Sequence, residues 1–471
     1  MDAIAQGTGA AEAAPARRIA EFAAGLDYDA IPEPVRARAR IQILDGLGVG
    51  LAANAYPFAG RAVAGLVALA GTEGGDCTVI GRAERLPVRD AALANGILVH
   101  GLDFDDTHLA SIVHATAACL PCALSLGEAL DAHGRDLLVA YAAGMEVAIR
   151  IGAAAKGGFH HAGFHATGIV SHFSSAVVAG KLLGLTAERI AAAQGIVSST
   201  AGGLQVFLED GAWTKRFHPG WGAVAGITAA RLAQHGFVGP ARPYEGRFGL
   251  FETHLQAHAG EAEVARLTEG LGTRWLLAES AIKPYPVCHF VHGAADAAIA
   301  LHAEIPDPAA IAAVRVLIPG PTLPIVAEPA AEKARPGTDY AAKFSAPFVI
   351  ATCLLRGRFG LQELAPEALR DPRILALCAR TRCEADPDTA FPAYFSGGVE
   401  VELADGRRLR RHVRVNSGAG ERALDEAAAS AKFLAAAGMA FDAARAERAR
   451  QAILAIDRAP VRETARALAA R

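Results

Sequence analysis

From residue 34 to about residue 255 the chain reads as one helical segment after another, and sustained two-residue alternation of apolar and polar side chains is almost missing. A chain patterned this way packs helix on helix rather than sheet on sheet. Ile41, Leu44, Leu47 and Leu51 recur at helical spacing behind a proline-containing start. Residues 91–100 read as another helix. Gly134, Arg135 and Asp136 read as a turn and cap before a helix over 137–151, and Thr186 as the N-cap of one over 190–196. Aromatic residues are 6% of the chain against 52% hydrophobic, with 49 glycines. Small side chains of this kind let helices approach closely.

The pattern changes near Thr273. Residues 314–318 form a short β-like run closed by Pro319, Gly320 and Pro321. Residues 398–403 alternate, Asp405-Gly406 supplies a hairpin turn, and 407–415 supply the return strand. A helical piece over 342–355 lies between, and the chain is helical again after Arg422. The expected fold is mainly α: a large all-helical domain built from the N- and C-terminal parts, with an inserted smaller α+β lid domain. The expected boundaries are a disordered tail over 1–16, a helical domain over 17–269, the lid over 270–415, and C-terminal helices over 416–471 that return to the helical domain.

Several function classes are excluded early. The net charge is -3 with no basic block, which argues against a nucleic-acid binder. Seven scattered cysteines suit a reducing cytosol better than a disulfide framework. The N-terminus lacks the positive start and apolar core of a signal peptide. The apolar run 137–151 is interrupted by Glu146 and Arg150, so a buried helix is expected there rather than a membrane span. Cys119 and Cys122 show redox-like spacing without the strand–helix–strand context that such a motif needs. Gly46, Gly48 and Gly50 lie inside a helical pattern, not in a dinucleotide-binding turn.

Four clusters carry chemistry. Asp103, Asp105, Asp106, Thr107, His108 and His114 stand between apolar flanks. Ionised carboxylates beside core segments need a partner or a task, and carboxylate with imidazole is common equipment for proton transfer; helix capping with surface histidines is the plainer reading. Lys156 to Gly168 bring His160, His161 and His165 into a glycine-rich stretch. This favours a substrate-facing loop over a zinc site, because no recognised ligand spacing is present. Lys215, Arg216 and His218, between glycines and two tryptophans, suit carboxylate binding. Lys283, His289 and His292 follow a proline-stiffened approach, with Lys283 and His292 candidates for the same pocket.

Together these segments resemble the MmgE/PrpD family over most of the chain. The matching stretches run from Ile41 to Gly48, from Leu102 to Thr107 with His114, from Gly163 to Gly168, from Lys215 to Gly220, from Lys283 to Pro286 with His292, and from Lys343 to Ser345. The resemblance implies a homodimeric cytoplasmic enzyme acting on a small di- or tricarboxylate, with no cofactor, no metal, no nucleic acid and no membrane. It implies Asp103, His114, His165, Lys215 and Lys283 as catalytic residues. Thr107, Arg216, His218, His289 and His292 are expected to bind substrate. The expected chemistry is proton abstraction next to a carboxylate. A 2-methylcitrate dehydratase-like hydro-lyase is favoured, with an iminodisuccinate epimerase-like isomerase, a cis-aconitate decarboxylase-like lyase and a non-enzymatic carboxylate-binding protein as alternatives.

Overall fold

The structure, a computed structural model, describes residues 14–71 and 74–470. It is mainly α. Among the described residues fourteen helices are eight residues or longer, and the strands are few and short. Residues 1–13 of the expected tail lie outside the described residues. Its last residues are ordered: the first helix spans Pro15–Gly25 and Ala16 is fully buried.

Two apolar cores account for most of the packing. The larger draws on residues from Ala16 to Leu277 and again from Phe433 to Leu468. The smaller draws on residues from Val287 to Leu403. Packing therefore changes hands between Leu277 and Val287, a little beyond the expected boundary at 269.

In the larger core the Ala166–Leu182 helix packs against the Gly134–Ala155, Ala187–Ser198 and Thr214–Gln234 helices. The closest contact depends on missing side chains. A Cβ at Gly222 would lie 2.4 Å from the Cβ of Ser171, and one at Gly226 would lie 2.4 Å from the Ser175 carbonyl carbon. This is the close approach that the small-residue composition implied. Gly134–Ala155 is the one described helix long and apolar enough to cross a membrane, and it is buried inside this core. Its interrupting charges pair with each other, Arg150 Nε donating to Glu146 at 3.2 Å. The helix starts at Gly134 itself, capped by His133, so the expected turn there is its first turn. Thr186 caps Ala187–Ser198 as expected.

A two-residue hairpin, β1 (Cys77–Thr78) with β2 (Arg85–Leu86), is the exception to the helical first half. The other strands form one sheet in the order β4-β3-β5-β6: β3 (Ile311–Ile318), β4 (Thr381–Ala385), β5 (Gly397–Leu403) and β6 (Arg408–Val413). The Asp405-Gly406 hairpin joins β5 to β6, pairing Val399 with Arg411 and Val401 with Leu409. Val399, Val401 and Leu403 turn inward while Glu400 and Glu402 stay partly exposed, the period-2 signature of a sheet with one covered face. The His292–His302 helix covers that face. The helix expected over 342–355 is broken: Asp339–Lys343 ends, Ser345 caps a new start by accepting from Phe348 N, and Ala346–Arg356 follows with a proline in its first turn.

Candidate active site

The acidic loop leaves the Val88–Val99 helix and is fixed by lysines from three distant segments. Lys343 Nζ donates to the Leu102 carbonyl. Lys283 Nζ donates to that of Asp103 at 3.0 Å, and Lys432 Nζ to that of Phe104 at 2.7 Å. Asp103 sits at φ +53°, a left-handed conformation that costs energy for a residue with a Cβ. A two-way backbone bridge between Thr107 and Ala281, both bonds 2.8 Å, brings Lys283 against the loop.

Side-chain chemistry converges on Asp103. Its Oδ1 accepts from Lys283 at 2.8 Å and from Lys215 at 3.0 Å. Lys215 arrives from the first turn of the Thr214–Gln234 helix. Burial alone would raise the Asp103 pKa, but the two lysines, His114 and the Lys283 hydrogen bond outweigh it and hold the carboxyl well below the ordinary range. Asp103 is therefore a fixed anion, and the two lysines carry one positive charge more than it neutralises.

Histidines stand around this triad. His114 Nδ1 donates to the Asp106 carbonyl at 3.0 Å and lies 3.2 Å from Thr107 Oγ1, which leaves Nε2 as the nitrogen with a free lone pair. Burial depresses the pKa of His114 well below its usual value, with Lys283 adding to the effect against Asp105. Burial and Lys215 do the same to His165, and burial with His292 to His289. These imidazoles are neutral near pH 7.

The groups line a cavity of about 290 Å³, near the lower end for small-molecule sites. Seven expected site residues are on its wall: Asp103, Thr107, His114, His165, Lys215, Lys283 and His289. Three expected substrate-binding residues are not. Arg216 points away, its guanidinium 4.1 Å from the Phe58 ring centre. His218 stands behind His165, with their Nδ1 atoms 3.1 Å apart. Arg216 is turned about 100° from Lys215 on the helix, whereas His218, three positions further along and on nearly the same face, is kept from the cavity by His165. His292 lies behind His289, ring centres 4.2 Å apart, and is fully buried.

His160, from the glycine-rich stretch expected to face substrate, is on the wall as well, and so are residues that sequence reasoning missed: Gln205 and an apolar set that includes Phe207, Phe290, Phe391 and Phe395. Their residue types carry no chemical signal in a sequence. His100 was missed as well. It stacks on His165 at 5.6 Å and its Nδ1 lies 2.8 Å from Asp105 Oδ2, so the pair braces the histidine wall from behind.

His100, Asp105 and His114 are of metal-ligand type and close enough to share an ion. Their hydrogen bonding does not suit one. His100 and Asp105 already bond to each other, and His114 Nδ1 holds its hydrogen toward the Asp106 carbonyl, so the lone pair that coordination needs is absent there. Cys119 and Cys122 are completely buried, which ends a thiol-exchange reading of that motif. A wider groove of about 1400 Å³ runs past Tyr56 and Lys432. No histidine lines it, and its buried carboxylate Glu363 is engaged by Arg358 at 3.1 Å and Gly360 N at 2.8 Å.

The sequence pattern of the MmgE/PrpD N-terminal domain matches residues 17–262, and that of the MmgE/PrpD C-terminal domain matches residues 285–458. The chain belongs to the MmgE/PrpD family. Among individual relatives, this family member is 26% identical over 443 residues to a cis-aconitate decarboxylase-like protein, oryM, of Aspergillus oryzae, covering 91% of each chain. It is 29% identical over 298 residues to a cis-aconitate decarboxylase of Aspergillus terreus, covering 61% of this chain and 60% of that one. Over 401 residues it is 29% identical to the cis-aconitate decarboxylase of Mus musculus, covering 81% and 78%. The two domain matches separate between 262 and 285, where the apolar packing also changes hands.

Proposed function

We propose that this family member is a lyase of the decarboxylase type acting on a small unsaturated polycarboxylate. The observation that carries the reading is the convergence of Lys215 and Lys283 on one oxygen of Asp103 at the cavity floor, with one positive charge in excess. The relatives named as decarboxylases support it. A substrate carboxylate binds at the lysines. The C–C bond to a second carboxylate breaks, its electron pair moves into the adjacent C=C–carboxylate system, and the lysines stabilise the charge that collects there. CO₂ leaves, and a proton reaches carbon through His114 or His165, whose neutral imidazole first takes that proton from solvent and then delivers it.

This reading moves away from the dehydratase favoured on sequence. Elimination of water asks for a base strong enough to take a carbon-bound proton. Asp103, one of the expected catalytic residues, is held too firmly anionic by two lysines to be a strong base, so its part here is to position them, and the preference for decarboxylation rests on the relatives named as decarboxylases. Thr107 and His289 are proposed to contact substrate, and the body built on the smaller core to act as the inserted lid over the larger one. The seven unpaired cysteines support a reducing, cytoplasmic setting. A second copy of this chain is proposed as partner on the family resemblance alone.

The test is ¹H NMR in D₂O with cis-aconitate and related acids, alongside CO₂ capture. CO₂ release with deuterium in the product is expected. An alkene formed without CO₂ would favour the dehydratase. Exchange without net reaction would favour the epimerase. Binding without any reaction would leave a carboxylate-binding protein.

A further inference from the structure

The cavity has two unlike parts. Its floor carries Lys215, Lys283 and Asp103, a formal excess of one positive charge. Four of the histidines beside them add none near pH 7: burial lowers His114, His165 and His289 well below their usual values and His160 to about 4. The other cations nearby are turned away, Arg216 over Phe58 and Lys343 onto the Leu102 carbonyl. Another part of the wall is apolar, and it adjoins His289, whose ring meets that of Phe395 at 5.2 Å. Phe290, Phe391 and Phe395 form one ring cluster, with centres 5.1 to 6.3 Å apart. Ile325, Phe207 and Leu208 also line the cavity, Phe207 standing edge-on to His165 at 5.8 Å.

A compact tricarboxylate would bring three negative charges to a site with one to spare and press one of them against aromatic rings. Burying an unpaired carboxylate is costly, whereas an alkyl group there gains from leaving water. Building on the decarboxylase reading, we propose that the substrate is an unsaturated dicarboxylate carrying an apolar substituent. One carboxylate binds Lys215 and Lys283, and the substituent lies against Phe290, Phe391 and Phe395. The second carboxylate needs no lasting counter-charge, because it departs as neutral CO₂.

Binding is measured by calorimetry with three unreactive saturated acids: glutarate, 3-butylglutarate and tricarballylate. Each methylene buried is worth about fourfold in affinity, equivalent to about 0.8 kcal/mol. 3-Butylglutarate is therefore expected to bind at least about tenfold tighter than glutarate, and tricarballylate no tighter than glutarate. Phe391→Ala, at a half-buried position, and Ile325→Ala, at a half-buried position in a different segment, each remove most of the butyl gain. Tricarballylate binding as tightly as 3-butylglutarate would overturn the proposal, and so would a butyl gain untouched by both variants. Turnover is compared in parallel for cis-aconitate and for 3-butylglutarate's unsaturated counterpart, 3-butylglutaconate, in which butyl replaces the middle carboxylate. A butyl gain in binding without CO₂ release from either acid defeats the decarboxylase reading and leaves the ligand class standing. CO₂ release from cis-aconitate with no butyl gain does the reverse.

Discussion

The acidic loop has two faces that use the same residue type to opposite ends. Asp103 looks into an open cavity and meets two lysines, so cation is in excess. Asp105 and Asp106 look back into the core, where Asp45 joins them and Lys432, Arg38 and His100 are the nearby partners. There carboxylates crowd one another, and none of the three lines the lysine-bearing cavity. The difference lies in the ratio of charges and in the space beside them: surplus cation next to a void can bind an anionic substrate, and surplus carboxylate in a packed core can only brace or strain the fold.

Replacing the histidines of the cavity face tests this contrast most severely. His114→Ala or His165→Ala is expected to lower kcat by about 10²–10⁴-fold, the usual worth of a general acid or base. Steady-state kinetics on each variant identifies the proton carrier as the one with the larger loss. If both retain more than about a tenth of the activity, proton delivery comes from elsewhere. Lys283→Met comes next, with about 10²–10³ lost from kcat, the scale for one donor to a developing anion. A change in KM alone would reduce this lysine to a binding role.

Asp103→Asn separates positioning from base catalysis. The lysines lose their shared anion and shift, and a shift on the ångström scale costs about 10–10²-fold. Stopped assays on purified variants should therefore rank this loss below that of the more affected histidine. A loss equal to or above it would make Asp103 a proton-transfer group rather than a positioning residue.

Much of the cavity face was legible in the sequence because catalytic residue types are conspicuous. Asp103, Thr107, His114, His165, Lys215, Lys283 and His289 meet in space although up to 186 positions separate them, as numbered. What failed was orientation. Arg216 shares a helix with Lys215 and differs from it in rotation about the axis, which a string of letters does not display at a segment boundary, and His218, on nearly the same face, is covered by His165 from another segment. His292 was one turn too deep. The phenylalanines of the apolar part read as ordinary core because burial and ligand contact call for the same side chains. The fold followed the same rule. Helical periodicity and the Asp405-Gly406 turn located their elements, while the break at Ser345 was hidden inside an apolar run.

The smallest expected effect concerns the core face and is read in stability rather than rate. Burial, with Asp105 and Asp45 alongside, pushes the Asp106 carboxyl up to about 7. Its pKa in the folded chain is raised, so its contribution is present in full below the unfolded value near 3.8 and is lost as pH rises toward 7. The cavity histidines have the opposite sign. Burial lowers His114, His165 and His289, so their contribution is present above about 6.5 and is lost as pH falls, when the unfolded chain takes up protons that the folded chain refuses. Asp106→Asn removes only the first of these. Denaturant midpoints between pH 5 and 8 should show the variant gaining on the parent as pH rises, reaching about 1–2 kcal/mol at pH 8, in the range for a buried polar group freed of its charge. The acid-side loss should remain in both proteins. A variant that gains nothing at pH 8 would mean that Asp106 is ionised and well paired in the fold, and the two faces of the loop would then differ in geometry but not in charge balance.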